Sequence, residues 1–221
     1  MLKGSAASGS PGALEEEWVD VVDDEGRPVA RTTRADAHRR GLRHPTAHLW
    51  VLRPHPQGVR VVFQWRKADR LDFPDLLDVT CGGHIQAGES ADVAMRRELE
   101  EELGLKRVRV APVAQVPVDA ETHGLLIREW AYEYLHVTRR PLRVFRVAPE
   151  EVEGLLEAPL RDLKALHTGQ ADALTLTGAA FGHSATVAVR RSADRSAFVP
   201  VPDRHWADLW GRLEAAYHTW E

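Results

Sequence analysis

The chain has one cysteine, Cys81, so no disulfide can form within it. That suits a reducing compartment, and the cytoplasm is the expected location. No apolar run approaches the ~20 residues that a membrane span needs. The stretch Met1 to Leu14 is rich in Gly, Ala, Ser and Pro and lacks the apolar core of a signal peptide, so a disordered tail is expected there. Basic excess is also missing. Lys and Arg number 29 against 33 Asp and Glu, for a formal net charge of −4. This argues against a bulk nucleic-acid surface and leaves only a local basic patch open. Beyond the tail there is no repeat and no low-complexity block. What the chain does have is 221 residues that are 43% hydrophobic and 28% charged, enough for a cored domain with or without an appendage.

Structure is expected from about Glu15. Trp18 to Asp23 alternates apolar and polar residues as a strand does, and Asp24 to Pro28 reads as a turn with Gly26 free to take positive φ. Val29 and Ala30 supply the returning strand of a hairpin. Arg34 to Leu42 is polar and reads as a short helix or a loop. Ala47 to Leu52 reads as a buried strand, and Pro54 to Gly58 as a turn. In the next strand Val59, Val61, Phe63 and Trp65 share one face. After a loop from Lys67 to Pro74, Leu76 to Val79 is extended until the pair Gly82-Gly83, expected to break the strand.

Ser90 suits a helix N-cap, Asp92 the first turn, and Gly104 a left-handed C-cap. Between them Ala91, Ala94, Met95, Leu99 and Leu103 form a stripe at helical spacing. Val108 to Val118 and Ile127 to Val137 read as strands, Val144 to Leu166 as a short strand with helix, and Asp203 to Tyr217 as a final helix. Trp206, Trp210 and Tyr217 on that helix fit a packing stripe better than a base-stacking platform.

One helix carries a charge anomaly. Glu98, Glu100, Glu101 and Glu102 crowd its last half, and Glu98 shares a face with Glu101 and Glu102 at spacings of three and four. Like charges there repel, and a helix C-terminus disfavours anions by roughly 0.3–1 kcal/mol each. A bound divalent cation would reverse that sign, because carboxylates are its natural ligands. A solvated acidic face partly neutralised by Arg96 and Arg97 is the alternative.

The wider segment decides between them. Gly83-His-Ile-Gln-Ala-Gly-Glu89 is followed after seven residues by Arg97-Glu-Leu-Glu-Glu-Glu-Leu-Gly-Leu105. This resembles the Nudix box, G-x5-E-x7-R-E-U-x-E-E-x-G-U with U apolar, at every specified position. The resemblance implies a Nudix fold, an α/β/α sandwich around a mixed sheet, here with an N-terminal hairpin and a C-terminal helix. It covers roughly residues 15–166, and residues 167–221 read as an extension whose helix packs on the same domain. It further implies attack of water on a phosphorus of a small-molecule diphosphate, a nucleoside diphosphate linked to another moiety or similar, with Mg²⁺ or Mn²⁺ as cofactor. Carried over by position, Glu98, Glu101 and Glu102 hold the metal, with a carbonyl from Gly83 or Gly82. Glu98 orients or deprotonates the water, Arg97 steers the carboxylates and Glu89 adds field. Arg66 and Lys67, just past a strand, are candidates to clamp phosphate, and a solvated strand end is equally compatible with them.

The flanks resemble a particular branch, the proteins close to isopentenyl-diphosphate isomerase. The matching pieces are Val19 to Asp24, Ala37-His38, Gly41 to His44 and Leu76 to His84. This resemblance implies a further metal site drawing on His38, His44 and His84, and an essential acidic residue near Glu129. Two departures favour the hydrolase: Gly82 stands where the isomerase cysteine belongs, with Cys81 displaced by one residue, and the glutamate pattern of the helix is intact. The alternatives carried forward are an isomerase and a non-catalytic nucleotide-binding module. Without a ligand role the three histidines are structural, Cys81 is a buried packer, and Glu129 pairs with an arginine.

Overall fold

A computed structural model describes residues 16–70, 73–122, 125–182 and 185–220. The tail expected over residues 1–14 lies outside them. The chain opens with a two-stranded hairpin, β1 (Trp18–Val22) and β2 (Pro28–Thr33), whose turn has Gly26 at φ +77°. Helix α1 (Arg34–Arg40) follows, capped by Thr33 at one end and by left-handed Gly41 at the other.

The body is a nine-stranded mixed sheet. Its strands are β3 (His44–His55), β4 (Gly58–Arg66), β5 (Leu77–Asp78), β6 (Cys81–His84), β7 (Ala111–Thr122), β8 (Leu125–Val137), β9 (Val152–Pro159), β10 (Leu174–Phe181) and β11 (Thr186–Ala193). The order is β11-β10-β9-β4-β3-β8-β7, with β5 on β4 and β6 on β3. The β3–β8 pair is parallel and the others are antiparallel. Helix α2 (Ala91–Leu103) covers one face; α3 (Leu160–His167) and α4 (Asp203–His218) cover the other. This is the α/β/α sandwich expected of a Nudix fold.

Two-residue alternation along β3 sorts the core. Ala47, Leu49 and Val51 face α2 and pack on Ala94, Met95, Leu99 and Leu103. Trp50 and Leu52 face the other way, onto Leu163 of α3 and Trp206, Leu209, Trp210 and Leu213 of α4. Each buried valine, leucine or methionine among them contributes roughly 1.5–3 kcal/mol of transfer free energy.

Two expectations need correction. Gly82 and Gly83 do not break a strand. They lie within β6, paired with His48 and Ala47 of β3. The glycines are there because side chains press on that backbone, as the site shows. The region beyond residue 166 also holds more than a helix. Strands β10 and β11 extend the sheet from β9, with Gly178 opposite Leu156 and Ala179 opposite Leu155.

Candidate functional site

Helix α2 sets the first group of side chains. The Ser90 hydroxyl accepts from the Val93 N–H and Gly104 closes the other end at φ +63°, so the register of the glutamates is fixed from both sides. The last turn contains no basic residue. Arg97 organises the carboxylates instead. Its guanidinium donates to Glu89 (3.0 and 3.2 Å), to Glu98 (2.6 Å), to Glu101 (3.4 Å) and to the His84 carbonyl (3.1 Å). These carboxylates hold the Arg97 pKa above its ordinary value.

Glu98 is buried and Glu101 is exposed. Burial raises the Glu98 pKa even though Arg97 opposes the shift. Burial, then the charge of Glu98, push Glu102 up to about 8. Two crowded carboxylates that resist ionising together are a site lacking positive charge, which is the donor set a hard divalent cation takes.

The glycines of β6 make room for this cluster. A Cβ on Gly83 would collide with the Glu98 carboxylate, and one on Gly82 would press on Val79, the Ala47 carbonyl and His48. The Gly82 N–H donates to Glu102 at 3.2 Å. Cys81, one residue earlier, is wholly buried on the α2 side of the sheet, and its thiol pKa is raised by burial and by Glu102.

On the opposite sheet face a second group gathers. The Nε2 atoms of His38 and His84 are 3.0 Å apart, and the ligand-capable atoms of His38, His44 and His84 all lie within 4.8 Å of one another. His44 is 1% exposed. Its Nδ1 is 2.8 Å from the Leu42 carbonyl, and its Nε2 is buried with no hydrogen-bond partner. If Nδ1 carries the proton, Nε2 is an unused lone pair held by a backbone partner, as metal-ligating histidines are. Burial, then Arg34 and His44, keep His84 well below the usual imidazole pKa and therefore neutral. These three residues can hold a cation.

Beside them Glu129 lies 3.3 Å from His48 Nε2 and 3.4 Å from Thr46 Oγ1. Burial alone would raise the Glu129 pKa, but the hydrogen bond and charge of His48 carry it down to about 2. Burial would lower His48, and the bond to Glu129 outweighs it.

Both groups open into one cavity of about 600 Å³. Glu98, Glu101, Glu102, Gly82 and Gly83 line one side, and His38, His84, His48 and Glu129 another. Arg34, Arg66, Arg70 and Arg97 also line it. So do Val199, Val201, His205 and Trp206, which come from the segment before α4 and from its first turn.

Of the residues singled out in the sequence, the structure brings Glu98, Glu101, Glu102, Gly83, Arg97, Arg66 and Glu129 to this cavity. Glu89 stands behind it, bound to Arg97. Lys67 is not among the lining residues. Its neighbour Arg66 is buried and paired with Asp78 at 3.0 Å. Glu129 pairs with a histidine rather than through its carboxylate with an arginine. His48 went unremarked, although it alternates with His44 and Thr46 on one strand face, a pattern a period-two reading can find. No local pattern announces the segment 199–206, which reaches the cavity only through tertiary packing.

Comparison with known proteins agrees with the fold. Residues 42–177 match the family model described as the NUDIX domain. An uncharacterised Nudix hydrolase of Clostridium acetobutylicum is 29% identical over 152 residues, 68% of this chain and 73% of the relative. Another from Streptomyces coelicolor is 45% identical over 89 residues, covering 40% and 48%. In fold, the crystal structure of a Deinococcus radiodurans protein superposes with a TM-score of 0.53 at 21% identity, covering 69% of this chain and 90% of that one. Among the described residues no helix is long and apolar enough to cross a membrane.

Proposed function

The chain belongs to the Nudix family, and from that premise we propose that it hydrolyses a diphosphate linkage in a small-molecule substrate with Mg²⁺ or Mn²⁺ as cofactor. One observation carries the reading. Glu98 and Glu102 face the same cavity with pKa values raised by burial, and no lysine or arginine lies in the last turn of their helix. A cation bound there would neutralise the diphosphate and lower the pKa of the attacking water. Glu98, held against Gly83 by Arg97, would orient that water and take its proton, with Glu101 and Glu102 completing the carboxylate set and a glycine carbonyl available beside it. Glu129 would supply a further carboxylate from across the cavity. Arg66 would contact substrate phosphate, with Lys67 adding charge just outside the lining. Hard oxygen donors select Mg²⁺ or Mn²⁺ over zinc at this cluster.

The test is a phosphate-release screen over a panel of diphosphates with each metal, run on the parent and on Glu98→Gln and Glu102→Gln. Each variant should lower kcat by roughly a hundredfold, the scale for losing one electrostatic contributor to the transition state. Near-normal turnover in both would sink the assignment. Metal-dependent release from any diphosphate would exclude a non-catalytic nucleotide-binding module.

The convergence of His38, His44 and His84 favours one second reading, an isomerase of the isopentenyl-diphosphate type. Against it stands Cys81, which lies on the α2 side of the sheet and does not line the cavity. Under the hydrolase reading Cys81→Ala keeps diphosphate cleavage within a few-fold of the parent, because attack by water uses no thiol. Isomerisation of isopentenyl diphosphate by the parent that vanishes in Cys81→Ala, with no cleavage by either protein, would establish the isomerase instead.

A further inference from the structure

We propose that the segment Val199–Trp206 is the specificity-determining wall of the cavity, and that the group it selects is an uncharged apolar one, aromatic or branched aliphatic. The segment lies outside residues 42–177, so the family match says nothing about it. That the apolar group is attached to a diphosphate rests on the hydrolase reading.

The segment is built in as fixed structure. The Val199 N–H donates to the Leu77 carbonyl at 2.9 Å, and Phe198 forms a parallel bridge with Leu77. The Phe198 ring packs edge-on against Phe63 at 5.2 Å, and Trp206 stacks on Trp210 at 5.2 Å. From α4, Arg212 makes a two-pronged pair with Glu133 of β8, each contact 3.1 Å. These contacts tie the wall to the sheet and to the aromatic core, so it can read shape.

Its chemistry is apolar. Val199 clusters with Val118 and Ile127, and Val201 packs against the same group together with Phe73. The four arginines lining the cavity all come from elsewhere, and each has a carboxylate partner. Arg34 pairs with Glu17, Arg66 with Asp78, Arg70 with Glu151 and Arg97 with Glu89. The segment's own charged residues, Asp203 and Arg204, are exposed and do not line the cavity, and Asp203 pairs with Arg195 outside the segment. Beside the wall His48 is engaged by Glu129, and within it His205 is held neutral by burial, with a pKa lowered to about 4. The cavity therefore separates its labour. Charge is handled at the glutamates and arginines, and the wall presents Val199, Val201, Trp206 and an uncharged His205 to the same cavity. A second charged group pressed on that surface would lose water without gaining a partner. An apolar group would gain affinity with each carbon buried.

The test uses hydrolysis-resistant probes, so it does not depend on turnover. Binding of methylenediphosphonate, of its phenyl-bearing ester and of its dimethylallyl-bearing ester is measured by calorimetry with Mg²⁺ present. The parent should bind at least one substituted probe tenfold or more tightly than the plain one, and the tighter of the two tells aromatic from aliphatic. Val201→Asp should abolish the difference. Val201→Thr, which keeps the shape and is expected to fold, should reduce it about threefold or more. In every protein the readout is the ratio of substituted to plain probe, which cancels any general loss of anion binding when Val201→Asp adds a carboxylate to the cavity. Equal binding of all three probes by the parent, or a preference that survives in Val201→Thr, overturns the proposal. A preference found in a protein that cleaves no diphosphate would retire the hydrolase reading and keep the wall. Cleavage without any preference would do the reverse.

Discussion

Glu102 is half in and half out of water, and it keeps its proton to about pH 8 because burial and Glu98 disfavour its charge. In the metal-free protein its folded pKa lies above the unfolded value of about 4.3. The folded state then holds a proton that the unfolded chain has released. Its stabilising effect is complete below the unfolded pKa and is lost as pH rises toward 8. The melting temperature of metal-free protein should therefore fall between pH 5 and 8, by roughly 3 °C per unit from this group alone. Saturating Mg²⁺ should flatten the slope, because a cation takes the proton's place, and metal affinity should rise with pH over the same window. A melting temperature that is flat with pH in chelator would contradict the assignment. The glutamates were legible in the sequence because their spacing is local: three and four residues on a helix put carboxylates together whatever the rest of the chain does. Glu129 was legible only by resemblance. Its partner His48 sits on another strand, and nothing near Glu129 in the sequence names it.

Helix α2 was read almost to its ends, since a serine before the first turn and a glycine after the last are chemical stops. The cap makes a testable claim. Ser90→Ala removes the acceptor for the Val93 N–H and should cost about 1 kcal/mol, a fall of roughly 2–4 °C in melting temperature, with kcat little changed because no catalytic contact is lost. A large loss of activity at unchanged stability would mean that Ser90 does something other than cap. Strand β6 was misread for an equally physical reason. Glycines usually mark a turn, but here Gly83 is small because Glu98 lies against it, a tertiary constraint that local pattern does not display. Strand β11 is hard to read because it forms the edge of the sheet, whereas β10 lies inside it between β9 and β11 and its Leu174-Thr-Leu176-Thr alternation is a readable strand signal. Most of β11 is exposed, so its residues carry little of the apolar alternation that betrays a half-buried strand.

For the whole molecule the deciding contact is between Arg212 of α4 and Glu133 of β8, the strand that pairs with β3 and β7. Glu133 is 1% exposed, and Arg212 is its partner across the layer. Arg212→Ala leaves that carboxylate buried and unpaired, which should cost about 3–5 kcal/mol and loosen α4 from the sheet. Arg212→Ala with Glu133→Leu in the same chain should recover much of the loss, and denaturant melts of the two proteins would show it. A single variant as stable as the parent would mean that α4 is held by its tryptophans and leucines alone. The cavity beneath this helix draws on residues as far apart as Glu17 and Trp206. During synthesis, then, the glutamate helix and most of the sheet leave the ribosome well before the last wall exists. A nascent chain with all its box glutamates in place still has an open-sided pocket until α4 emerges and docks. Such long-range closure is slow relative to local helix formation. Catalytic competence in a translating extract should therefore lag behind the appearance of helix α2, and would report that the final helix has arrived.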